Sequence, residues 1–331
     1  MADIGIGLLG AARITDKAIV HPVQVTPQCR LVCIAARDRG RADAYAKQHG
    51  VETVLATYDE VISDPQVDLI YNPLPINLHA EWTIKALQAG KHVLCEKPFA
   101  MNVDEAKAMV DTAKATGNRL IEAFHYRYHP AFETCLAWLA ADEIGEVREI
   151  HAAFYVQIKD NGTEIRHRVE TGGGAMMDLG CYPLHWALTV MGEAPRSVEA
   201  KATLTPTGVD ETLTADLSFA SGASARLTTS MAAGAKFRAD MRLVGSKGEI
   251  HFTNPLAPHA GGRLRTTAGR EAEVSPITTY TYQLASVLRA IQLGTPVPTE
   301  GDMILRQQAA LDTVYVAAGL RHLRYPDSMP E

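Results

Sequence analysis

The first 124 residues consist of short, continuous apolar runs separated by segments with helical periodicity, several of which end at glycines. Six of the apolar runs are predicted to be strands, at residues 4–9, 31–36, 53–57, 67–71, 92–95 and 119–124. Strands that alternate with helices in this way are typical of a parallel sheet that is covered on both faces. The pattern therefore predicts an α/β domain with a doubly wound parallel sheet, whose ligands bind at the carboxyl ends of its strands.

The hydrophobic pattern changes after Gly145, where apolar and polar residues begin to alternate with a period of two. Six such runs with tight turns between them are predicted to be antiparallel strands, at residues 147–158, 197–204, 213–219, 223–231, 237–244 and 249–252. We therefore expect a second, α+β domain over residues 125–300, built on a large, mostly antiparallel sheet. A final amphipathic helix within the segment 301–331 is predicted to pack back on the first domain.

Length and composition are consistent with two globular domains. The chain has 331 residues, of which 47% are hydrophobic and 21% are charged. The net charge of -6 argues against nucleic acid or an anionic membrane as a partner, and no apolar run is long enough to span a bilayer. The N-terminus lacks a signal-peptide pattern, and the five scattered cysteines are typical of reduced thiols in the cytoplasm. No Cys/His grouping has the spacing of a zinc site, so we expect no metal.

A glycine-rich turn follows the first predicted strand, where Gly5, Gly7 and Gly10 form the pattern G-x-G-x-x-G. Glycine permits a positive φ and a close approach of the backbone to a pyrophosphate, which the N-terminus of the next helix stabilises. We therefore expect a dinucleotide-binding Rossmann domain over residues 1–124. The turn residues predicted to touch the cofactor are Gly7, Gly10, Ala11, Ala12 and Arg13. The alternative is a glycine-rich connection without a ligand.

The end of the second predicted strand selects the cofactor. An acidic residue at this position binds the ribose 2′-hydroxyl of NAD, whereas an arginine accommodates the 2′-phosphate of NADP. Arg37 is the first polar residue after the strand, and Arg39 and Arg41 lie close by. A guanidinium pairs with phosphate and stacks on adenine, so NADP is the predicted cofactor. Asp38 keeps NAD as the alternative, and the arginines could also belong to a solvated loop.

The ends of the fourth and fifth predicted strands carry further candidates for the cofactor site. Asn72, Pro73 and His79 follow the fourth strand, where a structural hydrogen bond at a helix start is the alternative role for His79. Glu96 and Lys97 follow the fifth strand, directly before a proline. A lysine held at the carboxyl end of a strand is placed for chemistry, because a nearby ammonium lowers the pKa of a neighbouring hydroxyl.

Residues 125–130 and 166–168 supply the predicted substrate contacts. The first segment concentrates hydrogen-bonding rings around Arg127, including His129, which favours either a polyol pocket or a hinge between domains. Arg166 and Arg168 precede a run of three glycines and are possible contacts for substrate hydroxyls.

The run of three glycines at residues 172–174 precedes a predicted helix that carries Asp178 and Tyr182. These two residues are four apart and therefore share one helical face, with His185 close to it as a further substrate contact. Pro183 indicates a kink or break in this helix. The alternative is an interface helix with an incidental Asp-Tyr pair.

The glycine turn, the tripeptide Glu96-Lys97-Pro98 and the stretch 172–180 together resemble the Gfo/Idh/MocA oxidoreductase family over nearly the whole chain. The resemblance implies a Rossmann domain, a domain with an open-faced, mostly antiparallel sheet, and a homodimer or homotetramer joined through that sheet. Many members have a histidine where this chain has Tyr182. This difference resembles the branch that contains dimeric dihydrodiol dehydrogenase, NADP-dependent xylose dehydrogenase and glucose-fructose oxidoreductase.

The resemblance implies that Tyr182 is the acid/base and that Lys97 supports it, with Asp178 completing the catalytic set. The expected activity is NADP-dependent hydride transfer between nicotinamide and a carbinol of a sugar or a cyclic diol. A nicotinamide-dependent glycosidase and a non-catalytic NADP-binding sensor are the alternative functions. Aldose oxidation and dihydrodiol oxidation use the same acid/base pair, so the sequence leaves the substrate and the physiological direction open.

Overall fold

The computed structural model describes residues 3–325. Its internal contacts divide the chain into two compact units. The first unit contains residues 3–100, 104–125 and 280–305, and the second contains residues 101–103, 126–279 and 306–325. The helices, in chain order, are α1 His21–Val25, α2 Arg39–His49, α3 Tyr58–Ser63, α4 His79–Gln88, α5 Val103–Thr116, α6 Pro130–Ala140, α7 Cys181–Met191, α8 Thr279–Leu293 and α9 Asp302–Ala317.

The first unit is built on a six-stranded parallel sheet. Its strands are β1 Ile4–Leu9, β2 Cys29–Ala35, β3 Thr53–Val54, β4 Leu69–Asn72, β5 His92–Cys95 and β6 Leu120–Glu122. They lie in the order β3-β2-β1-β4-β5-β6, and every neighbouring pair is parallel. The strand order reverses between β1 and β4, which is the point where ligands bind in sheets of this kind. The predicted doubly wound sheet is therefore confirmed.

Apolar side chains cover both faces of this sheet. Ile6 and Leu8 of β1 belong to one buried cluster, which also contains Leu284 of α8. Leu9 belongs to a second buried cluster, which also contains Met109 of α5. Burial on both faces explains why these strands read as continuous apolar runs and not as alternating ones.

The second unit is built on a seven-stranded sheet. Its strands are β7 Val147–Tyr155, β8 Ser197–Leu204, β9 Asp210–Ser218, β10 Ser224–Ser230, β11 Arg238–Gly245, β12 Glu249–Thr253 and β13 Arg263–Thr266. They lie in the order β13-β12-β11-β7-β10-β9-β8, and only the pair of β7 and β10 is parallel. Helix α7 packs against β7 and β10. The predicted α+β class with a mostly antiparallel sheet is confirmed.

The contact grouping differs from the predicted boundaries in two places. Helix α8 from Tyr280 onward and the residues up to 305 group with the first unit, because Leu284 is buried in its core and Glu300 forms a β-bridge with Ile121 of β6. The rest of α9 groups with the second unit. There Gln307 donates a hydrogen bond to the Cys181 carbonyl at 2.9 Å, and Tyr315 donates one to Asp210 at 2.7 Å. The functional boundaries at residues 124 and 300 stay a prediction.

None of the helices within residues 3–325 is long and apolar enough to cross a bilayer.

Candidate active site

The glycine pattern begins inside β1, which contains Gly5 and Gly7, and ends at Gly10 directly after the strand, and its glycines have two different structural roles. A Cβ on Gly5 would lie 1.8 Å from the Gln66 carbonyl oxygen, and one on Gly7 would lie 2.8 Å from a methyl carbon of Val61. Gly10 has a φ of +91°, in the region that favours glycine. The first two glycines therefore permit close packing, and the third permits the turn itself.

The residues after Gly10 open toward solvent before a helix begins. Ala11 and Ala12 are half-buried and Arg13 is exposed. The helical segment begins only at Asp16, with a π-helical turn over Asp16–Val20 that leads into α1. The helix start thus lies several residues later than the glycine pattern predicts, because the chain first makes a turn in which the Thr15 amide bonds to the Ala12 carbonyl at 3.1 Å.

Three exposed arginines, Arg37, Arg39 and Arg41, follow β2. Arg37 lies two residues beyond the strand. Arg41 donates a hydrogen bond from Nη2 to the Ala11 carbonyl at 3.0 Å, which joins the first turn of α2 to the glycine-rich turn. Asp38 is the N-cap of α2, and its Oδ1 accepts a hydrogen bond from the Arg41 amide at 3.0 Å. The acidic side chain at this strand end is thus already engaged in capping a helix.

The loop after β4 is held by buried polar side chains. Asn72 donates to the His79 carbonyl at 3.3 Å and to Thr83 Oγ1 at 3.1 Å. His79 lies with Nδ1 3.1 Å from the Phe99 carbonyl oxygen and Nε2 2.7 Å from the Leu74 carbonyl oxygen. Burial lowers the pKa of His79 to about 4, although these carbonyl groups favour the protonated ring. These hydrogen bonds of Asn72 and His79 connect segments of the protein itself, and Pro73 is buried beside them.

Glu96 and Lys97 directly follow β5. Glu96 is buried, and its Oε1 accepts a hydrogen bond from the Tyr71 hydroxyl at 2.7 Å. Its Oε2 accepts a hydrogen bond from the Lys97 amide at 3.2 Å. The side chain of Lys97 is half-buried, and the Lys97-Pro98 peptide bond is cis. Glu96 therefore fixes the backbone from which the Lys97 side chain projects.

Glu122, the last residue of β6, is a neighbour of Lys97 that sequence reasoning missed. It lies opposite Cys95 in the sheet and is 1% exposed. Burial, followed by the negative charge of Glu96, raises the pKa of Glu122 well above its ordinary value, while the positive charge of Lys97 opposes this shift. A glutamate inside the last predicted strand was the only sequence signal for this second carboxyl group.

In the second unit, Asp178 and Tyr182 lie on one continuous helical stretch. A π-helical turn over Met176–Gly180 carries Asp178, and α7 begins at Cys181. Tyr182 is 4% exposed, and its ring contacts those of Phe154 and Tyr126. Pro183 is the third residue of α7, but the π-helical turn before it makes it an interior residue of the helical stretch, where proline has no N–H to donate to the preceding turn. The change from π- to α-helical geometry just before the proline is the irregularity that Pro183 indicates.

The glycines before this stretch allow three chain segments to meet. Gly173 donates its amide to the Arg168 carbonyl at 2.8 Å, and its Cβ would lie 2.6 Å from the carbonyl oxygens of Arg166 and Arg168. Gly174 has a φ of +123°, and its Cβ would lie 2.1 Å from Asp210 Oδ1. Larger residues at these positions would push the Arg166 segment and Asp210 away from the helix.

Arg166 and Asp178 are brought together by this packing. Arg166 Nε lies 2.7 Å from Asp178 Oδ2, and Arg166 Nη1 lies 2.9 Å from Glu164 Oε1. The Asp178 carboxylate is the main cause that raises the pKa of Arg166. Arg168 instead donates a hydrogen bond to the Gly162 carbonyl.

The other three predicted substrate residues also have protein partners. Arg127 pairs with Glu133. His129 caps α6 by accepting the Ala131 amide on Nδ1 at 3.1 Å, and its Nε2 lies 3.2 Å from the Ser275 carbonyl oxygen. His185 is 1% exposed and hydrogen-bonds through Nδ1 to the Tyr126 hydroxyl. Burial, with a smaller effect of Arg127, lowers the pKa of His185 to about 3. The structure therefore joins Tyr126, Tyr182 and His185 in one aromatic group and places His129 in a separate cap.

The part of the chain that the structure describes contains no group of three or more His, Cys, Asp or Glu side chains that could hold a metal ion.

Two family models match the chain, one over each unit. The model described as "Oxidoreductase family, NAD-binding Rossmann fold" matches residues 4–124. The model described as "GFO/IDH/MocA C-terminal domain" matches residues 132–251.

Curated relatives and a solved structure match over most of the chain. The D-xylose 1-dehydrogenase (NADP(+)) 2 of Haloferax volcanii is 31% identical over 94% of this chain and 96% of its own. The trans-1,2-dihydrobenzene-1,2-diol dehydrogenase of Xenopus tropicalis is 34% identical over 76% of this chain and 75% of its own. The structure of the 3-ketoreductase KijD10 of Actinomadura kijaniata, in complex with NADP and TDP-benzene, superposes with a TM-score of 0.85 at 26% identity and covers 95% of this chain and 98% of that chain.

Proposed function

The chain belongs to the Gfo/Idh/MocA family of NAD(P)-dependent sugar and diol oxidoreductases, and from this premise we propose that it transfers hydride between NADP and a carbinol of a sugar or cyclic diol. The observation that carries the proposal is the arrangement around Tyr182. A buried tyrosine lies four residues after Asp178 on one helical stretch, and Asp178 is fixed by Arg166. The second unit thus carries a phenol and one member of an ordered ion pair on the same helical stretch.

The first unit fits a dinucleotide at the carboxyl ends of β1 and β2. Gly10 adopts a positive φ that gives the backbone room for a pyrophosphate, and the exposed guanidinium groups of Arg37 and Arg41 suit a 2′-phosphate. Asp38 is engaged as the N-cap of α2, which favours NADP over NAD. The residues proposed to hold the cofactor in this region are Gly7, Gly10, Ala11, Ala12, Arg13, Arg37 and Arg41.

The proton transfer is assigned to Tyr182 and Lys97. When bound, the nicotinamide supplies the acceptor or donor for the hydride. In the oxidative direction Tyr182 Oη takes the proton of the substrate hydroxyl. A free tyrosine with a pKa near 10 is a poor base, and the Lys97 ammonium stabilises its phenolate form. The Glu96 carboxylate accepts a hydrogen bond from the Lys97 amide, which fixes the backbone position from which the Lys97 side chain extends.

The proposed substrate contacts centre on Arg166 and Asp178. The side chain of Arg166 is 37% exposed, so it can reach a hydroxyl while it stays paired with Asp178. Arg127, Arg168, His129 and His185 stay predicted contacts, and their present hydrogen bonds to the protein suit a supporting role as well. Asn72, Pro73 and His79 likewise stay predicted cofactor contacts. The homodimer or homotetramer through the second sheet also stays a prediction.

A substrate panel tests the proposed function. The purified chain is mixed with NADP and, separately, with NAD, against a panel of aldoses and cyclic trans-diols, and reduced nicotinamide is followed by its absorbance. Steady NADPH formation with one of these substrates is the expected result. Activity on a glycoside without added cofactor would replace the proposal with a glycosidase, and NADP binding without turnover would replace it with a sensor.

A further inference from the structure

We propose that Asp210 is a positioning residue that fixes the start of the helical stretch carrying Asp178 and Tyr182. The inference rests on the proposed function only in taking Tyr182 as the acid/base. Asp210 begins β9, distant in the sequence from this stretch, and nothing in the sequence pattern marks it.

The Asp210 carboxylate caps the helical stretch from outside. Asp210 is 0% exposed, and its Oδ2 accepts a hydrogen bond from the Met176 amide at 2.7 Å. The residue at the N-cap position is Ala175, which has no side chain that can cap. The first amide groups of a helix lack partners within the helix, so a buried helix start needs an acceptor supplied by another element. Asp210 supplies it from the neighbouring strand.

A second hydrogen bond fixes the carboxylate itself. The Tyr315 hydroxyl of α9 donates to Asp210 Oδ1 at 2.7 Å. The same helix supplies Gln307, which donates to the Cys181 carbonyl at 2.9 Å. Helix α9 therefore holds the stretch at Met176 through Asp210 and at Cys181 directly, that is, both before and after Asp178.

Gly174 shows how closely the carboxylate and the main chain are fitted. A Cβ at this position would lie 2.1 Å from Asp210 Oδ1 and 2.9 Å from the Tyr315 hydroxyl. A glycine is therefore required here both by the position of the Asp210 carboxylate and by the backbone φ of +123°. Met176 lies two residues before Asp178 and six before Tyr182, so a shift of its amide would move both side chains.

The hydrogen bonds to Asp210 do not require a permanent negative charge. Burial raises the pKa of Asp210 to about 7, against the opposing hydrogen bonds from the Met176 amide and the Tyr315 hydroxyl. An asparagine has the same shape, accepts the Met176 amide on its oxygen and can donate its amide to the Tyr315 oxygen. Asparagine therefore preserves both hydrogen bonds, whereas alanine removes them.

The experiment compares Asp210→Ala with Asp210→Asn in the full chain, with saturating NADP and the best substrate of the panel. Asp210→Ala should lower kcat by about tenfold or more, because small misplacements of reacting groups are costly. Its affinity for NADP should stay unchanged, and amide hydrogen exchange of residues 175–180 should become faster. Asp210→Asn should keep kcat within about threefold and keep slow exchange. A folded Asp210→Ala protein with unchanged kcat and unchanged exchange would overturn the inference.

A milder variant keeps the test decisive if Asp210→Ala does not fold. Tyr315→Phe removes one donor to the carboxylate, and it should raise exchange at residues 175–180 and lower kcat by a smaller factor. If it changes neither, the inference fails.

Tyr182→Phe separates this inference from the proposed function. Full turnover in Tyr182→Phe refutes the acid/base role, while the exchange measurements still decide the role of Asp210. Loss of turnover in Tyr182→Phe together with normal kcat and exchange in Asp210→Ala refutes only the inference on Asp210.

Discussion

Arg166 and Asp178 form an ion pair with Nε and Oδ2 2.7 Å apart. Arg166 precedes the helical stretch that carries the proposed acid/base Tyr182, and Asp178 lies on that stretch. The pair is not an isolated surface contact, because the glycines at 173 and 174 let the Arg166 segment pack directly against the helix start. The Asp178 side chain is 18% exposed, so the pair is only partly screened by solvent. This relationship fixes the guanidinium group that we propose as a substrate contact.

Arg166→Ala should raise KM for the substrate about tenfold or more and lower kcat less, because a hydroxyl contact to a charged donor contributes roughly 1.5–3 kcal/mol. Steady-state kinetics at saturating NADP measures the two parameters separately. The matched control is Arg226→Ala, which breaks the Arg226–Asp216 pair (Nε to Oδ1, 2.7 Å) on the second sheet and should leave both parameters unchanged. Equal kinetics in the two variants would remove Arg166 from the substrate site.

Tyr182→Phe and Lys97→Ala should each lower kcat by at least about a hundredfold while NADP still binds, because both remove a part of the proton transfer. Binding is measured by the fluorescence of NADPH, and turnover by its absorbance. Tyr155→Phe is the tyrosine control, since this hydroxyl donates a hydrogen bond to Thr228 Oγ1 of the neighbouring strand at 2.8 Å. Near-normal turnover in either of the first two variants would refute the assigned role.

Arg37→Ala should weaken NADP binding by about tenfold or more and leave NAD binding unchanged, because only NADP carries the 2′-phosphate. The ratio of the two dissociation constants measures the effect. Arg39→Ala is a control on the same segment, where Arg39 pairs with Asp43 at 3.0 Å. A parallel loss of affinity for both cofactors would place Arg37 elsewhere than at the 2′-phosphate.

His79 should make the protein less stable in acid. Its pKa is lowered to about 4 in the folded protein, from 6.5, so the unfolded chain binds more protons between these values. The free energy of unfolding contributed by the neutral ring is therefore present above pH 6.5 and is lost as the pH falls toward 4, by up to about 1.4 kcal/mol per pH unit.

Urea unfolding of the wild type and of His79→Gln at several pH values between 4 and 6.5 measures this contribution as the difference between the two proteins. The difference should shrink in acid, because glutamine does not titrate. His151→Gln, on a side chain that is 40% exposed, is the control. A difference that is constant with pH would show that His79 is not the titrating group.

The strands of the parallel sheet were predictable because both faces of the sheet are covered, so every residue along a strand is buried and the strand is a continuous apolar run. The runs that became β1 and β5 were predicted with the same bounds, Ile4–Leu9 and His92–Cys95. The parallel pairing of β7 with β10 was not, since a period of two is the same for parallel and antiparallel neighbours. Strand β13 was missed because Arg263–Thr266 has only four residues, two of them arginines.

Local motifs in the sequence support a prediction for Lys97 and Tyr182, and their roles stay a prediction that the mutants above test. The two buried carboxyl groups that the fold brings close to these segments were not predictable. Glu122 and Asp210 are brought in by strand order and by packing between distant segments, so their neighbours in sequence give no signal. The same holds for His129 and His185, whose hydrogen-bond partners are set by tertiary contacts.

The imidazole of His79 lies between the carbonyl oxygens of Leu74 and Phe99, so one side chain connects the loop after β4 to the loop after β5. If only one of these loops were exchanged with that of a relative, the contact between the His79 ring and the carbonyl group of the other loop would be disturbed. Residues 73–79 and 96–99 therefore form a single exchangeable module, and a productive chimera has to inherit both segments from the same parent.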